Sequence, residues 1–382
     1  MKILLISDQP THPVIAGNRR FIVSQAEYFQ SKNHEVFFLY VNTIYSSKKD
    51  IELMKDYWKD KFFLYKANPF HCIKRRLDPY IRKWTHQYVY SCDYLYPSGL
   101  SSYVNKINKR MKFDTCVTNY YFMTKLFAHV KFPLMAVNSH DYFAYKNLHT
   151  GTKNAWMLTT AHEEAKAYQR CPHIFALNTE EAIYFGKLSP NSTVYNIFSS
   201  YNYTATDIVG TKNILFLSGP NEYNINGLKW FVQSILPTII NRVPDVRLTI
   251  GGGICRELSE YSNHPNIELY GYVERAEDFY ALGDVVINPT YQGTGLKIKT
   301  FESVSYDKVT MVHPHSMIGI FRPESSPIFS SATANEWADY LYDLWNENGR
   351  IEDIKRANKA YIDDMQNFIH SEYNRFFNSI QQ

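Results

Sequence analysis

The sequence is poor in cysteine and has no long apolar run. Its five cysteines stand far apart in 382 residues and form no Cys-x-x-Cys pair, which argues against a disulfide framework or a structural zinc site and favours a reducing compartment. No segment reaches the roughly 18 apolar residues of a membrane span, and the apolar stretch after Met1 ends at Asp8, too early for a signal peptide. We expect a cytoplasmic protein that at most makes peripheral contact with the inner face of a membrane.

A strong excess of one charge is also missing. Lysine and arginine number 41 against 37 aspartates and glutamates, a net charge of +4, so nucleic acid is not expected as a partner. The sequence contains no Asp-x-Asp triplet that would hold a divalent cation on a diphosphate. His313 and His315 have the spacing of a metal-site fragment, but no third ligand can be placed beside them. We expect no cofactor and no metal requirement.

Alternating strands and helices predict an α/β fold with two domains, for which 382 residues with 45% hydrophobic content are sufficient. The first half opens with a strand at Lys2–Ser7 and a helix for which Asn18 is a candidate N-cap. Residues 45–110 are interpreted as an irregular insertion or helical excursion, and the polar residues 199–212 as a linker. Further strands are predicted at 35–41, 115–119, 134–138, 173–177, 192–196, 213–217, 247–250, 267–270, 284–288 and 310–313. Helices are predicted at 155–169, from 179, at 227–242 and over 337–380.

Three residues of the first half follow predicted strands. In a doubly wound sheet, ligands collect at the carboxyl ends of the strands, which makes Gly17, His140 and Asp141 candidate site residues. Imidazole can donate or accept a hydrogen bond near neutral pH, so His140 is suited to contact a polar ligand at this edge of the sheet. The alternatives are a structural histidine, a helix-capping aspartate and a glycine that serves only a turn.

The most informative segment leads from a buried strand through a Gly-rich turn into a helix. Gly293 and Gly295 let backbone N–H groups approach an anion at the helix start, where the macrodipole is positive. Lys297 adds a full charge, and Glu302 can accept hydrogen bonds from sugar hydroxyls. Lys299 is two residues further on, about 200° around the helix, so only one of the two lysines can face a diphosphate, and we favour Lys297. The alternative is that these are solvated surface residues.

Several short segments are shared with a known family. In the second half they are 216–221, 226–231, 248–253, 266–273 and the Gly-Thr-Gly-Leu-Lys-Ile-Lys-Thr-Phe-Glu stretch 293–302, and in the first half they are Gly17-Asn18, His140-Asp141 and Glu163-Glu164. In these segments the chain resembles the retaining GT-B glycosyltransferases of the group 1 class, which are common in bacterial polysaccharide, lipopolysaccharide, capsule and glycoprotein assembly.

The resemblance implies two Rossmann-like domains that face each other across a cleft. Residues 1–198 would bind the acceptor, 199–212 would link the domains, 213–365 would bind a nucleotide sugar, and the helical tail 366–382 would cross back to the first domain. The implied activity moves the sugar to a glycan, lipid-linked or protein-linked acceptor with retention of anomeric configuration. The leaving diphosphate would help to deprotonate the acceptor hydroxyl while the protein stabilises the developing charge.

The resemblance also implies roles for particular residues. His140, Asp141, Lys297 and Glu302 would take part in catalysis. The residues that would bind the ligand are Gly17, Asn18, Gly293, Thr294, Gly295, Leu296, Lys297 and Glu302.

The chain departs from the family pattern at two places. Thr294 stands where many members carry the first carboxylate of a Glu-x7-Glu pair, and Ser218-Gly219-Pro220 and Asn226 replace an arginine and a lysine. Two alternatives therefore stay open: a GT-B-shaped binding or scaffold partner with weak catalysis, and a sugar-nucleotide epimerase of similar fold. The mixture of cations and aromatic residues in 70–84 suits an anionic lipid surface or a lipid-linked acceptor, and a merely solvated helix is the alternative.

Overall fold

The computed structural model describes residues 1–14, 17–43, 47–87, 89–144, 158–293 and 298–379. The chain divides into two compact units. The first comprises Met1–Ser200 and Ile369–Gln382, and the second comprises Tyr201–Phe368.

The first unit contains a seven-stranded sheet in which every neighbouring pair is parallel. Its strand order is β3-β2-β1-β4-β5-β6-β7, so the order reverses between β1 and β4. The central strands are buried on both faces, as expected of parallel strands covered by helices; β1 and β2 are mainly apolar, whereas β4 carries buried threonines and an asparagine. The strands are β1 (Lys2–Ser7), β2 (Glu35–Asn42), β3 (Phe62–Lys66), β4 (Thr115–Asn119), β5 (Leu134–Asn138), β6 (His173–Ala176) and β7 (Thr193–Asn196).

Six α-helices cover this sheet in the part of the first unit that the structure describes before the final helix. They are α1 (Gly17–Ser31), α2 (Lys48–Trp58), α3 (Pro69–Thr85), α4 (Leu100–Met111), α5 (Ala161–Tyr168) and α6 (Thr179–Leu188). Short 3₁₀ segments occur at Lys59–Lys61 and Tyr121–Ala128.

Of the two interpretations of 45–110, the helical excursion agrees with α2, α3 and α4 and the irregular insertion is wrong, while the strand β3 was not predicted. Helix α2 begins with a capping box in which Ser47 and Asp50 exchange hydrogen bonds. Strand β3 is at the sheet edge and only half-buried, so it lacks the apolar run by which buried strands are recognised.

Four helix starts also differ from the prediction. In the second unit, the helix predicted from 227 begins at Glu222 and the helical tail predicted from 337 begins at Ala334. The other two are in the first unit. Helix α5 begins at Ala161, because the Thr160 side chain caps it by accepting from the Glu163 N–H, while Leu158–Thr160 are not helical. Helix α1 already includes Gly17, so Asn18 lies inside its first turn and is not the N-cap.

The second unit contains a six-stranded parallel sheet in the order β10-β9-β8-β11-β12-β13, which reverses between β8 and β11. The strands are β8 (Asn213–Leu217), β9 (Arg247–Gly251), β10 (Ile267–Gly271), β11 (Val285–Asn288), β12 (Val309–Val312) and β13 (Phe329–Ser330). The helices are α7 (Glu222–Trp230), α8 (Leu236–Arg242), α9 (Ala276–Tyr280), α10 (Ile298–Ser305), α11 (Ala334–Asn346) and α12 (Arg350–Asn378), with a π turn at Phe231–Ile235 between α7 and α8. The 3₁₀ segments are Gly253–Glu257, Ser259–Tyr261, Pro314–Met317 and Pro323–Ser325.

The long helix α12 belongs to both units, because residues up to Phe368 fall in the second and those from Ile369 onward in the first. Within the first unit, the Tyr373 hydroxyl accepts a hydrogen bond from Gln25 Nε2 at 3.0 Å, and its ring stacks on Tyr28 at 4.7 Å. The aromatic tail of the chain thus packs on α1.

The polar residues 199–212 form neither helix nor strand. The Asp284 carboxylate, just before β11, accepts hydrogen bonds from the N–H groups of Val209 and Gly210 at 3.0 and 2.8 Å. The Thr204 N–H donates to the Ser305 carbonyl at 2.8 Å. These contacts attach residues 204–210 to the second unit.

Candidate functional site

Each unit has a point where its strand order reverses, and in open parallel sheets the crevice at such a point binds ligands. In the first unit this point is between the carboxyl ends of β1 and β4. Gly17 and Asn18 begin α1 beside it. The Asn18 side-chain amide donates to the Tyr120 hydroxyl at 2.8 Å, which joins the start of α1 to the loop after β4. Both predicted residues therefore lie at the reversal point.

His140 follows β5 by two residues and is half-buried, with a positive φ of 62°. Its ring stacks on Tyr120 at 4.3 Å and meets the edge of Phe21 at 5.4 Å. Its Nε2 lies 2.7 Å from Asn119 Oδ1. Left-handed backbone is uncommon outside glycine, and at such positions it often accompanies function.

The hydrogen bonds around His140 determine its tautomer. Asn119 Nδ2 donates to the Ile6 carbonyl at 3.0 Å, so Asn119 Oδ1 is the acceptor. His140 Nε2 must then carry the proton, which leaves the lone pair on Nδ1. Burial lowers the pKa of His140 to about 3, so the ring is neutral at physiological pH.

A buried amide network holds Asn119 in place. Asn138, the last residue of β5, donates to Asn119 Oδ1 at 3.0 Å and to Gln25 Oε1 at 2.8 Å. Gln25 in turn donates to Asn138 Oδ1 at 3.1 Å and to Tyr373. Sequence reasoning missed these residues, although an asparagine that ends each of two successive apolar strands was a visible signal.

Asp141 is buried, and its Oδ1 accepts from the Tyr142 N–H at 2.9 Å. Next to it, Glu164 on α5 accepts from the Phe143 N–H at 2.6 Å and from the Tyr184 hydroxyl at 2.7 Å. Burial raises the pKa of Glu164 to about 6. The Glu164 carboxyl group thus holds the chain in place just after Asp141.

A second buried carboxylate fastens the same loop from its other end. Glu181 on α6 accepts from Ser139 Oγ at 2.5 Å, from the Leu177 N–H at 3.2 Å and from Asn178 Nδ2 at 2.9 Å. Burial raises the pKa of Glu181 to about 7, and the negative charge of Asp141 adds to the increase. His140 and Asp141 therefore lie on a loop that two protonatable carboxyl groups hold.

In the second unit the reversal point is between β8 and β11. The turn after β8 packs tightly on the turn after β9, where the Ser218 N–H donates to the Gly251 carbonyl at 3.0 Å. Gly252 has a φ of 94°, and a Cβ there would lie 2.3 Å from the Ser218 carbonyl oxygen. Only glycine allows this approach.

Lys299, in the first turn of α10, places its ammonium group at this reversal point. Its Nζ donates to Ser218 Oγ at 2.9 Å and to Asn224 Oδ1 on α7 at 2.7 Å. The half-buried Glu302 is three residues further along α10, so both side chains leave the same side of the helix. Sequence reasoning missed Ser218 and Asn224, which come close to Lys299 only in the folded chain.

Four predicted site residues, Thr294, Gly295, Leu296 and Lys297, lie outside the described residues. The preference for Lys297 over Lys299 as the diphosphate ligand stays a prediction.

Gly293, just before this gap, has a φ of 94°, and a Cβ there would meet the Tyr223 ring at 3.1 Å. Its carbonyl accepts from His315 Nε2 at 2.8 Å. His313 Nδ1 accepts from the His315 N–H at 3.1 Å, so both histidines support the turn at Gly293. Over the described ranges, no three His, Cys, Asp or Glu side chains are grouped so that they could hold a metal ion.

Comparison with known proteins shows which family and which folds the chain resembles. Residues 211–347 match the family described as "Glycosyl transferases group 1". The chain is similar in fold to Anabaena HepE in complex with UDP, with a TM-score of 0.66 at 11% identity over 98% of this chain and 99% of that one. It is also similar to sucrose-phosphate synthase from Thermosynechococcus elongatus, with a TM-score of 0.68 at 12% identity over 99% and 100% of the two chains.

A curated relative is the "Uncharacterized 44.6 kDa protein in cps region" of Klebsiella pneumoniae. It is 31% identical over 104 residues, which are 24% of this chain and 26% of that protein. The alignment therefore spans only about a quarter of the relative's length.

The two parallel sheets and the similar structures confirm the predicted fold class: this is a GT-B fold of two Rossmann-like units. The residues that match the group 1 glycosyltransferase model, 211–347, lie within its second unit. This stretch contains the reversal point with Ser218, Lys299 and Glu302.

Proposed function

We propose that the protein transfers a sugar from a nucleotide-sugar donor to a glycan, lipid-linked or protein-linked acceptor with retention of anomeric configuration, as a step of polysaccharide or capsule assembly. The observation that carries this proposal is the placement of Lys299 and Glu302 on one side of α10 at the reversal point of the group 1 domain. The origin of the Klebsiella relative in a cps region supports the polysaccharide context.

The donor diphosphate needs positive charge and N–H donors. Lys299 supplies an ammonium group, and the start of α10, next to it, is the positive end of a helix dipole. Lys297 is a second candidate for the same role. Glu302, three residues along the helix from Lys299, would accept hydrogen bonds from the ribose hydroxyls. UDP is the first nucleotide to test because HepE, with the same fold, was solved with UDP.

The first unit would supply the groups that handle the transferred sugar and the acceptor. A neutral His140 with its lone pair on Nδ1 can accept a hydrogen bond from a sugar hydroxyl without adding charge. Asp141, on the same fastened loop, would orient the acceptor. The leaving diphosphate, held by lysine, would take the acceptor proton, so the protein's main contribution is a preorganised electrostatic environment.

The test distinguishes the role proposed for the second unit, nucleotide binding, from the role proposed for the first unit, sugar transfer. Calorimetry with UDP should show weaker binding to Glu302→Gln, because a neutral amide is a weaker acceptor for ribose hydroxyls than a carboxylate. His140→Ala should keep UDP affinity and lower product formation at saturating donor. If His140→Ala lost UDP affinity as severely as Glu302→Gln, the assignment of His140 to the transferred sugar would be wrong.

The same assay addresses the alternatives. UDP binding without donor hydrolysis or transfer to any acceptor would favour a binding partner over an enzyme. Conversion of the donor to its epimer without an acceptor would favour an epimerase.

A further inference from the structure

Helix α3 carries its apolar side chains on the side that faces solvent. Phe70 is 81% exposed, Tyr80 75% and Trp84 83%, values typical of side chains with little protein around them. At 100° per residue, the exposed residues fall within a sector of about 100°, which makes them one continuous stripe along the helix. The apolar stripe of α3 consists of Phe70, Ile73, Leu77, Tyr80, Ile81 and Trp84.

The opposite side of α3 is polar and is the side that packs on the protein. The buried Arg75 donates to Thr43 Oγ1 at 2.8 Å and lies 3.8 Å from the buried Asp8 carboxylate. Asp78 pairs with Arg82 at 2.6 Å, and the Arg82 guanidinium lies 3.8 Å from the Tyr90 ring centroid. A helix of a globular protein normally buries its apolar side and exposes its polar side. Helix α3 does the reverse.

Isolated exposed apolar residues are common on protein surfaces, whereas a continuous stripe marks an interaction surface. Three of the six side chains here are aromatic, and tyrosine and tryptophan are the residues that favour the boundary between water and lipid. The stripe therefore suits a partner with an apolar interior and a polar surface.

The charges beside the stripe identify that partner. Every exposed acidic or basic side chain of α3 is basic: Lys74, Arg76 and Lys83. The only carboxylate of the helix, Asp78, is buried against Arg82. By helical geometry, Lys74 is on one flank of the stripe, and Arg76 and Lys83 are on the other. Basic side chains that flank an apolar face reach the phosphates of anionic lipids while the apolar side chains enter the acyl boundary.

We propose that α3 is an interfacial helix that lies in the headgroup region of an anionic phospholipid bilayer, with the apolar stripe in the lipid and Lys74, Arg76 and Lys83 on lipid phosphates. This inference does not depend on the identity of the donor or acceptor. It would bring the first unit to the surface where a lipid-linked acceptor resides. Within the described ranges, no helix is apolar over a length that would cross a bilayer. An attachment through α3 is peripheral.

The test is flotation of the full chain with vesicles of phosphatidylcholine alone and of phosphatidylcholine mixed with phosphatidylglycerol. The wild type should float with the anionic vesicles and bind the zwitterionic ones at least tenfold more weakly. Tyr80→Ser with Trp84→Ser should lose binding to both, because the stripe supplies the apolar area. Lys74→Glu with Lys83→Glu should lose the preference for anionic vesicles.

Two controls match these variants. Tyr272→Ser removes an aromatic side chain that is 82% exposed in the second unit, and Lys106→Glu with Lys109→Glu reverses two exposed charges on α4. Both should float like the wild type. Because the changed side chains are exposed, the thermal midpoint of every variant should stay close to that of the wild type.

The proposal is overturned if the wild type does not float, if the α3 variants float as well as the wild type, or if the controls lose as much binding as the α3 variants. It is also overturned if light scattering shows a dimer that only the stripe variant dissociates, since the stripe would then be an interface between two copies of the chain. The nucleotide titrations test a different unit, so failure here leaves the proposed function unaffected.

Discussion

At the residue scale, one glycine occupies a position where any larger residue would be strained. It is Gly252, whose left-handed backbone brings it against the Ser218 carbonyl. We expect Gly252→Ala to lower the free energy of unfolding by about 3 kcal/mol or more, from backbone strain together with a steric clash. Thermal and urea unfolding would measure the loss.

Gly349→Ala is the matched control. Gly349 has a φ of 82°, close to that of Gly252, but a Cβ there would meet nothing within 4 Å. Gly349→Ala should therefore lower the free energy of unfolding only by the strain of the left-handed backbone, about 1–2 kcal/mol. Equal losses at the two positions would show that the clash with Ser218 does not occur.

Glu181 gives a pH prediction at the same scale. Its pKa is raised from the ordinary 4.5 to about 7, so the folded state holds a proton that the unfolded state releases in this range. The stability that Glu181 contributes is therefore fully present below pH 4.5 and is lost as pH rises through about 7. Between pH 5 and pH 8 the wild type should lose about 2–3 kcal/mol more stability than Glu181→Gln, which cannot titrate.

Urea unfolding of both proteins at the two pH values would measure this difference. The comparison cancels the contributions of other titrating groups, including His140, whose lowered pKa acts in the opposite direction. Glu180→Gln, an exposed neighbour on α6, should behave like the wild type. Parallel pH profiles for the wild type and Glu181→Gln would contradict the raised pKa.

At the element scale, the position of Lys299 on α10 gives a prediction about donor binding. Lys299 and Glu302 share a side of this helix, and Lys299 reaches the turn after β8. We expect Lys299→Ala to weaken UDP binding about 10- to 100-fold, because a hydrogen bond to a charged group is worth about 1.5–3 kcal/mol. Calorimetry would measure the affinity.

Lys229→Ala is the control, since Lys229 is an exposed lysine of α7 that pairs with Glu260. It should leave UDP affinity unchanged. Lys297→Ala tests, in the same titration, the sequence-based preference for Lys297 as the diphosphate ligand. If only Lys297→Ala weakened binding, the role proposed for Lys299 would be wrong.

The elements also show where sequence patterns succeed and fail. The predicted strands at Lys2–Ser7, Thr115–Asn119, Leu134–Asn138 and Asn213–Leu217 have the predicted bounds. In three of them the reason is a continuous apolar run, as expected of a strand buried on both faces, whereas Thr115–Asn119 is rich in β-branched residues. The edge strand β3 was missed because it is half-buried. Helix α3 lies in a stretch for which an irregular insertion and a helical excursion both stayed open, because its apolar side does not face the core.

At the scale of the whole molecule, the chain is a GT-B fold of two Rossmann-like units. In the proposed function, lysine and a helix terminus supply the positive charge for the diphosphate. We expect sugar transfer to survive EDTA, because the sequence has no Asp-x-Asp triplet and Lys299 lies at the strand-order reversal of the second unit, where the proposed function places the diphosphate. The assay is product formation with and without EDTA. Complete loss of transfer that magnesium or manganese restores would refute the expectation.

The sequence by itself determined the α/β alternation, from which a parallel sheet in each half was expected, because the alternation depends on residues that are neighbours in the chain. Tertiary structure alone decided the tautomer of His140, the raised pKa of Glu181, the direction of Lys299 and the outward side of α3. Each of these depends on partners far apart in sequence: Asn119 and His140 are 21 residues apart, and Ser218 and Lys299 are 81. Desolvation and hydrogen bonding between such partners exist only once the chain has folded.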